Sequence, residues 1–110
     1  MSQPERRKAA NEAVFRDVNE RIEDLQHEFA RVEHEPLRIV CECDRLDCVE
    51  QLTMALHAYE RLRGDSSCFV VVPGHEDPEV ETAVETADGY TVVRKHAGAP
   101  REIAEETDRR

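Results

Sequence analysis

The chain has 110 residues and carries 15 Lys and Arg against 25 Asp and Glu, which gives a net charge of -10. This acidic balance disfavours a nucleic-acid partner, because affinity for a phosphate backbone comes from clustered Lys and Arg. With 39% hydrophobic residues, 5% aromatic residues and no Trp, a domain of this size builds a small core, so we expect a metal ion or a partner chain to add stability.

The first segment, residues 2–34, predicts one long amphipathic helix. Ser2 and Glu5 have the spacing of a capping box, and no Gly or Pro follows the first turn until Pro36. Apolar residues recur within the helix at alternating spacings of three and four, which is the heptad pattern of a helix that packs against another helix. The predicted interface residues are Phe15, Val18, Ile22, Leu25, Phe29 and Val32.

The length of the predicted helix indicates what covers this interface. A helix of ~30 residues is ~45 Å long, at 1.5 Å per residue. The remaining body of about 65–75 residues is only ~25 Å across by the scaling of compact domains. The body therefore cannot cover the whole helix, and we expect a homodimer or a helical protein partner to cover the rest.

Short β-branched runs follow Pro36. Residues 37–43 predict a strand that enters a Cys-rich loop, and residues 49–53 predict a second strand. Thr53 is placed to cap a helix over about 54–63, which Gly64 ends. Residues 68–72 predict a buried strand, which the Pro-Gly pair at 73–74 stops.

Residues 78–87 allow two interpretations. Asp77-Pro78 is typical of a helix start, yet Val80, Thr82, Val84 and Thr86 alternate with their neighbours as in a strand. The Asp88-Gly89 pair, followed by an apolar run, favours a two-residue hairpin, and we adopt the strand. Residues 98–110 are small, charged and interrupted by Pro, so we expect a flexible tail of acidic and mixed charge with one short helical possibility around Ile103.

Three cysteines lie within eight residues, at Cys41, Cys43 and Cys48. In a chain without an evident export signal, such a cluster indicates metal ligands rather than disulfides, and thiolates with one further donor suit Zn2+. Residues i and i+2 at a strand end point to the same side, so Cys41 and Cys43 can share one ion. Three unliganded, partly buried thiols are the alternative.

The fourth ligand has to come from further along the chain. His75 follows a strand on the Pro-Gly turn, and its imidazole would complete a set of three thiolates and one histidine. Cys68 is the rival, although its place in a buried strand suits a small hydrophobe better. His34, His57 and His96 are weaker alternatives.

Two resemblances accompany these motifs. The spacing of residues 41–48 resembles the C-x-C-x4-C zinc-binding tail that follows the catalytic domain in many histone lysine methyltransferases, where the fourth ligand comes from elsewhere in the fold. Segments 18–22, 41–43, 59–63 and 69–76 (VNERI, CEC, YERLR and FVVVPGHE) resemble a group of small uncharacterised bacterial proteins, mostly actinobacterial. That resemblance implies a bacterial setting and no activity.

The sequence thus predicts an α+β fold in three parts: a helical arm (1–35), a small zinc-stabilised body with an antiparallel sheet and one further helix (36–97), and the tail (98–110). We expect a cytoplasmic protein without nucleic-acid or membrane partners, since no apolar run approaches the ~20 residues of a membrane span. Motifs of hydrolases and phosphate-binding loops are absent, so we expect a non-enzymatic interaction or regulatory module. The alternatives are a thiol-based redox or zinc sensor and a small zinc hydrolase.

Overall fold

The computed structural model describes residues 3–29, 36–45 and 47–108, and within the first helix it describes the side chains of residues 10–25. In these ranges the chain forms an α+β fold with three helices and two small antiparallel sheets. In chain order, the elements are α1 (Gln3–Phe29), β1 (Pro36–Val40), β2 (Gln51–Ala55), α2 (Leu56–Arg63), β3 (Cys68–Val71), β4 (Glu81–Ala87), β5 (Tyr90–Lys95) and α3 (Ala99–Glu106).

The first sheet pairs β1 with β2, and its alternating side chains define one core. Leu37 lies opposite Met54 and Ile39 lies opposite Leu52, and all four side chains are buried. This first core is closed by α2 and by the second sheet; its buried residues are Leu37, Ile39, Leu52, Met54, Ala58, Tyr59, Leu62, Cys68, Val70 and Val92. The predicted cap at Thr53 is wrong, because Thr53 pairs with β1 and the helix starts after Ala55.

The second sheet has the strand order β3-β5-β4. Its β4–β5 hairpin turns at Asp88-Gly89, where Gly89 has a φ of +94°, a conformation that side chains rarely adopt. The strand interpretation of residues 78–87 is therefore confirmed over Glu81–Ala87, with an irregularity in pairing around Val84. A second core lies against this sheet and consists of Cys41, Cys43, Phe69, Val71, Val93 and Ala104.

The prediction of a flexible tail is wrong for residues 99–106, which form α3. Pro100 lies in the first turn, where its missing N–H costs no helical hydrogen bond. Ala104 is buried in the second core and its carbonyl accepts a hydrogen bond from Arg16 Nη2 at 2.7 Å. The structure thus has the short helix that the sequence allows around Ile103. This helix packs against both the second sheet and α1.

Helix α1 falls within the predicted 2–34, and residues 30–35 lie outside the described part of the chain. The prediction that this helix is an arm separate from the body is wrong, because one face of α1 lies against the body. That face is polar rather than apolar, which the heptad pattern does not predict. Its buried residues are Glu12, Arg16, Asn19, Glu20 and Glu23.

These buried polar side chains have partners in the body. Arg16 donates to the carbonyls of Ser66 and Ala104 and lies over the Phe69 ring, 4.3 Å from its centroid. Glu20 pairs with the buried Arg63 of α2, and Glu12 pairs with the buried Lys95 of β5. Charged groups are found in protein interiors when they are paired in this way.

The six predicted interface residues do not share one environment. Ile22 is partly buried and packs against the first core, and Phe15 is also partly buried. Val18 and Leu25 are exposed by 39% and 54%. Phe29 ends α1 with its side chain outside the described part, and Val32 lies outside it entirely.

Candidate metal centre

The Cys-rich loop continues directly from β1. The Cys41 N–H donates to the Glu50 carbonyl at 3.0 Å, so the pairing of the two strands extends one step beyond Val40. Side chains alternate along such an extended segment, which places Cys41 and Cys43 on one side and Glu42 on the other. A turn in which Cys48 N donates to the Arg45 carbonyl at 3.2 Å then brings the third thiol back towards the first two.

The turn after β3 supplies the imidazole. Gly74 has a φ of +92°, and the His75 N–H donates to the Val72 carbonyl at 2.9 Å. This tight turn reverses the chain directly after the buried strand, as the Pro-Gly pair predicted. His75 Nδ1 comes within 3.6 Å of both the Cys41 and the Cys48 sulfur.

The structure brings all four predicted ligands together. The donor atoms of Cys41, Cys43, Cys48 and His75 lie within 4.8 Å of one another, and this group could hold a metal ion. Cys41 and Cys43 are buried, whereas Cys48 and His75 are partly buried. The rival ligand, Cys68, lies in β3 as a member of the first core and is absent from the group.

Hydrogen bonds around the group orient its donor atoms. His75 Nε2 lies 2.7 Å from a carboxylate oxygen of Glu50, so the ring presents Nδ1 to the sulfur atoms. Histidines that bind metals commonly donate their second N–H to a carboxylate in this way. The backbone N–H of Val72 also donates to the Cys41 sulfur at 3.1 Å, and that of Arg45 donates to Cys43. Such N–H groups favour the thiolate form that a metal ion requires.

Burial disfavours the thiolate form of these cysteines when no cation is present. Desolvation is the largest cause that raises the pKa of Cys41, and proximity to Cys43 and Cys48 raises it further. Desolvation also raises the pKa of Cys43 above its ordinary value. A metal ion would supply the positive charge that stabilises neighbouring thiolates, and its binding would release their protons.

Glu42 is a structural residue of the loop that the sequence reasoning missed. Its side chain is fully buried on the side opposite the thiols. It accepts hydrogen bonds from Asn19 Nδ2 at 2.7 Å, the Tyr59 hydroxyl at 3.1 Å and the Val70 N–H at 3.0 Å. Desolvation raises its pKa, and these donors oppose that rise. The signal was present in the strand-like alternation of Cys-Glu-Cys, which turns the central carboxylate inward.

Fold and site together define a small α+β protein with a Cys3His group that could hold a metal ion. No protein-family model, curated protein or solved structure matches the chain. The two resemblances described above therefore stay predictions. In the described part of the chain, no helix is both long and apolar enough to cross a membrane.

Proposed function

We propose that this protein is a non-enzymatic, cytoplasmic interaction module that a Zn2+ ion stabilises and that binds another protein chain through its N-terminal helix. The observation that carries the proposal is the convergence of Cys41, Cys43, Cys48 and His75 donor atoms within 4.8 Å. Three sulfur donors and one imidazole nitrogen form a common ligand set for structural zinc.

The spacing of two donor pairs is compatible with zinc. Zinc binds sulfur at about 2.3 Å and imidazole nitrogen at about 2.0–2.1 Å, so a tetrahedral angle separates the two donor atoms by ~3.6 Å. His75 Nδ1 lies 3.6 Å from both the Cys41 and the Cys48 sulfur. Two donor pairs thus have the separation that a tetrahedral zinc ion requires.

The position of the group supports a structural role. Cys41, Cys43 and Cys48 lie between β1 and β2 of the first sheet, whereas His75 follows β3 of the second sheet, so one ion would connect the two sheets. A catalytic zinc site usually has three protein ligands and leaves the fourth position to water, but here four side chains would fill the tetrahedron. We therefore assign the metal to stability and the helix to binding.

The outward face of α1 supports the interaction role. Val14, Val18 and Leu25 are exposed by 59%, 39% and 54%. Apolar side chains that share one exposed helix face are typical of a protein-binding surface rather than of an isolated monomer. Within the described part of the chain, the buried polar residues that fix α1 to the body lie on a different face of the helix from these three side chains.

The test is metal analysis of the purified protein together with a matched pair of cysteine variants. We expect close to one equivalent of zinc per chain, and we expect chelation to lower the melting temperature by more than about 10 °C. Cys43→Ala should lose the metal and unfold the body, because metal-binding free energy contributes directly to folding in such sites. Cys68→Ala removes a thiol of the first core and should retain the metal.

Three results would contradict the proposal. One is a protein that contains no zinc and melts at the same temperature after chelation. Another is equal metal loss in the Cys43→Ala and Cys68→Ala variants, since only the first thiol belongs to the group. Retention of zinc by Cys43→Ala would likewise exclude this ligand set.

A further inference from the structure

One end of the second sheet carries a cleft that is lined by basic residues. It has a volume of about 380 Å³, which lies within the ~300–1,000 Å³ that is usual for small-molecule pockets. Its wall comes from β4, from the end of β5 and from α3, and it includes Thr82, Val84, Arg94, Lys95, His96 and Arg101. Among the described residues no Asp or Glu lines this cleft, although the chain has 25 of them against 15 Lys and Arg.

The guanidinium of Arg101 has no acidic partner in the described part of the chain. Its Nη2 donates to the Lys95 carbonyl at 3.1 Å, which holds the side chain across the end of β5, and its buried Nε has no hydrogen-bond partner. The Lys95 ammonium, in contrast, pairs with Glu12 and Glu81 in the interior. Arg101 is therefore a cation without a counter-charge, and a partly buried cation favours an anion beside it.

The neighbouring side chains add further polar groups to the same wall. His96 Nε2 lies 2.9 Å from Thr82 Oγ1, so each of these side chains helps to hold the other in position. Arg94 pairs with Asp65 at 3.3 Å, and both side chains are about half exposed, at 47% and 45%. An ion pair at the surface is weak, so an anion in the cleft can compete for the Arg94 guanidinium.

We propose that this cleft binds a small organic phosphate, with the phosphate group held by Arg94, His96 and Arg101 and the organic part placed against Val84. Guanidinium groups bind phosphate oxygens through paired, charge-assisted hydrogen bonds, and two of them suit a phosphate dianion better than a carboxylate with one charge. Val84 is 46% exposed and offers an apolar surface that a free phosphate ion would leave uncovered. The inference goes beyond the proposed function, because the cleft and the Cys3His group share no residue.

NMR titration of the metal-loaded, 15N-labelled protein at constant ionic strength tests the class of ligand. The probes are inorganic phosphate, phenyl phosphate and benzoate. Inorganic phosphate should cause saturable shifts at Thr82, His96 and Arg101, with a dissociation constant on the order of 1 mM. Phenyl phosphate should bind at least about fivefold more tightly, because its ring covers Val84. Benzoate has a similar ring but a single charge, and it should bind at least about tenfold more weakly than phenyl phosphate.

Matched variants test the residues of the cleft. Arg101→Gln should weaken binding of phenyl phosphate at least about tenfold while the zinc content stays unchanged. Because Arg101 also bonds to the Lys95 backbone, Arg94→Gln serves as a second variant at an exposed position and should weaken binding about threefold. The control is Arg38→Gln, which removes the same charge from an exposed position on β1 outside the cleft and should leave binding unchanged.

A further variant, Val84→Ala, tests the apolar contact. It should remove the preference for phenyl phosphate over inorganic phosphate and leave the affinity for inorganic phosphate unchanged. Equal affinities of the wild type for the two phosphates would overturn the organic ligand, and equal affinities for phenyl phosphate and benzoate would overturn phosphate as the recognised group.

Two results would overturn the site itself. One is a set of shifts that stays linear up to ~10 mM inorganic phosphate, since a site of millimolar affinity saturates in that range. The other is equal weakening by Arg101→Gln and Arg38→Gln, which would mean that the phosphate responds only to overall charge. A zinc-containing protein that fails these tests leaves the proposed function standing, whereas a zinc-free protein that passes them contradicts the proposed function but not the phosphate site.

Discussion

Asn19 attaches α1 to the body, because its side-chain amide bonds to both backbone groups of Val40 as a neighbouring strand would. Its Oδ1 accepts the Val40 N–H at 2.8 Å, and its Nδ2 donates to the Val40 carbonyl at 2.7 Å. The same Nδ2 donates to the Glu42 carboxylate, also at 2.7 Å. Asn19 is fully buried, so water cannot replace these bonds when the side chain is removed.

The magnitude of an Asn19→Ala change follows from those three hydrogen bonds. Each buried partner left unsatisfied costs about 1–3 kcal/mol, and the partner that is a carboxylate belongs to the upper part of that range. The higher helix propensity of Ala returns about 0.5 kcal/mol. We therefore expect the free energy of unfolding to fall by at least about 3 kcal/mol, a large share of the roughly 5–15 kcal/mol of a typical domain.

Urea unfolding of the metal-loaded protein, followed by circular dichroism, measures this loss. The matched control is Asp17→Ala on the same helix, where the Asp17 side chain is 42% exposed and pairs at the surface with Arg21. That change should stay within about 0.5 kcal/mol. A loss below about 1 kcal/mol for Asn19→Ala would refute the reasoning, because it would mean that α1 does not depend on its buried polar contacts.

Two further predictions concern the same polar interior. Tyr59→Phe removes one of the donors to Glu42 and should lower the free energy of unfolding by about 1–2 kcal/mol in the same urea assay. Burial raises the pKa of Glu12 well above its ordinary 4.5, with Lys95 opposing the rise and Glu81 adding to it, so deprotonation of Glu12 costs more in the native state than in the unfolded chain. Stability should therefore fall as the pH rises from 4.5 through the raised native pKa, and Glu12→Gln should flatten this slope in unfolding curves measured over that range, relative to wild type.

The features that were predictable from sequence have local causes. The alternation of Leu37 and Ile39, the Asp88-Gly89 turn and the Pro-Gly turn before His75 each act over a few residues, and the structure has the elements that they predict. The convergence of Cys41, Cys43, Cys48 and His75 was predictable for the same reason. Three thiols lie within one loop, and the imidazole follows a turn whose geometry two residues determine.

The docking of α1 was not predictable by the same reasoning. Hydrophobic periodicity assumes that a helix buries its apolar face, but α1 buries Arg16, Asn19 and Glu20 instead. Their partners are distant in sequence: Arg16 bonds to a carbonyl 88 residues away, and Glu20 pairs with Arg63, 43 residues away. A pattern within one helix cannot reveal such partners, because the compensation of each buried charge depends on the tertiary fold.

The Cys-Glu-Cys segment connects the Cys3His group with the docking of α1. Its thiols belong to that group, and its carboxylate faces Asn19 of α1 and Tyr59 of α2. A metal ion that fixes Cys41 and Cys43 therefore also fixes the backbone from which Glu42 reaches the helix. Coupling between two equilibria is reciprocal, so if the bound metal favours docking of α1, a change that loosens α1 weakens metal binding. Asn19→Ala should accordingly lower metal affinity although Asn19 contacts none of the ligands, whereas Asp17→Ala should leave that affinity unchanged.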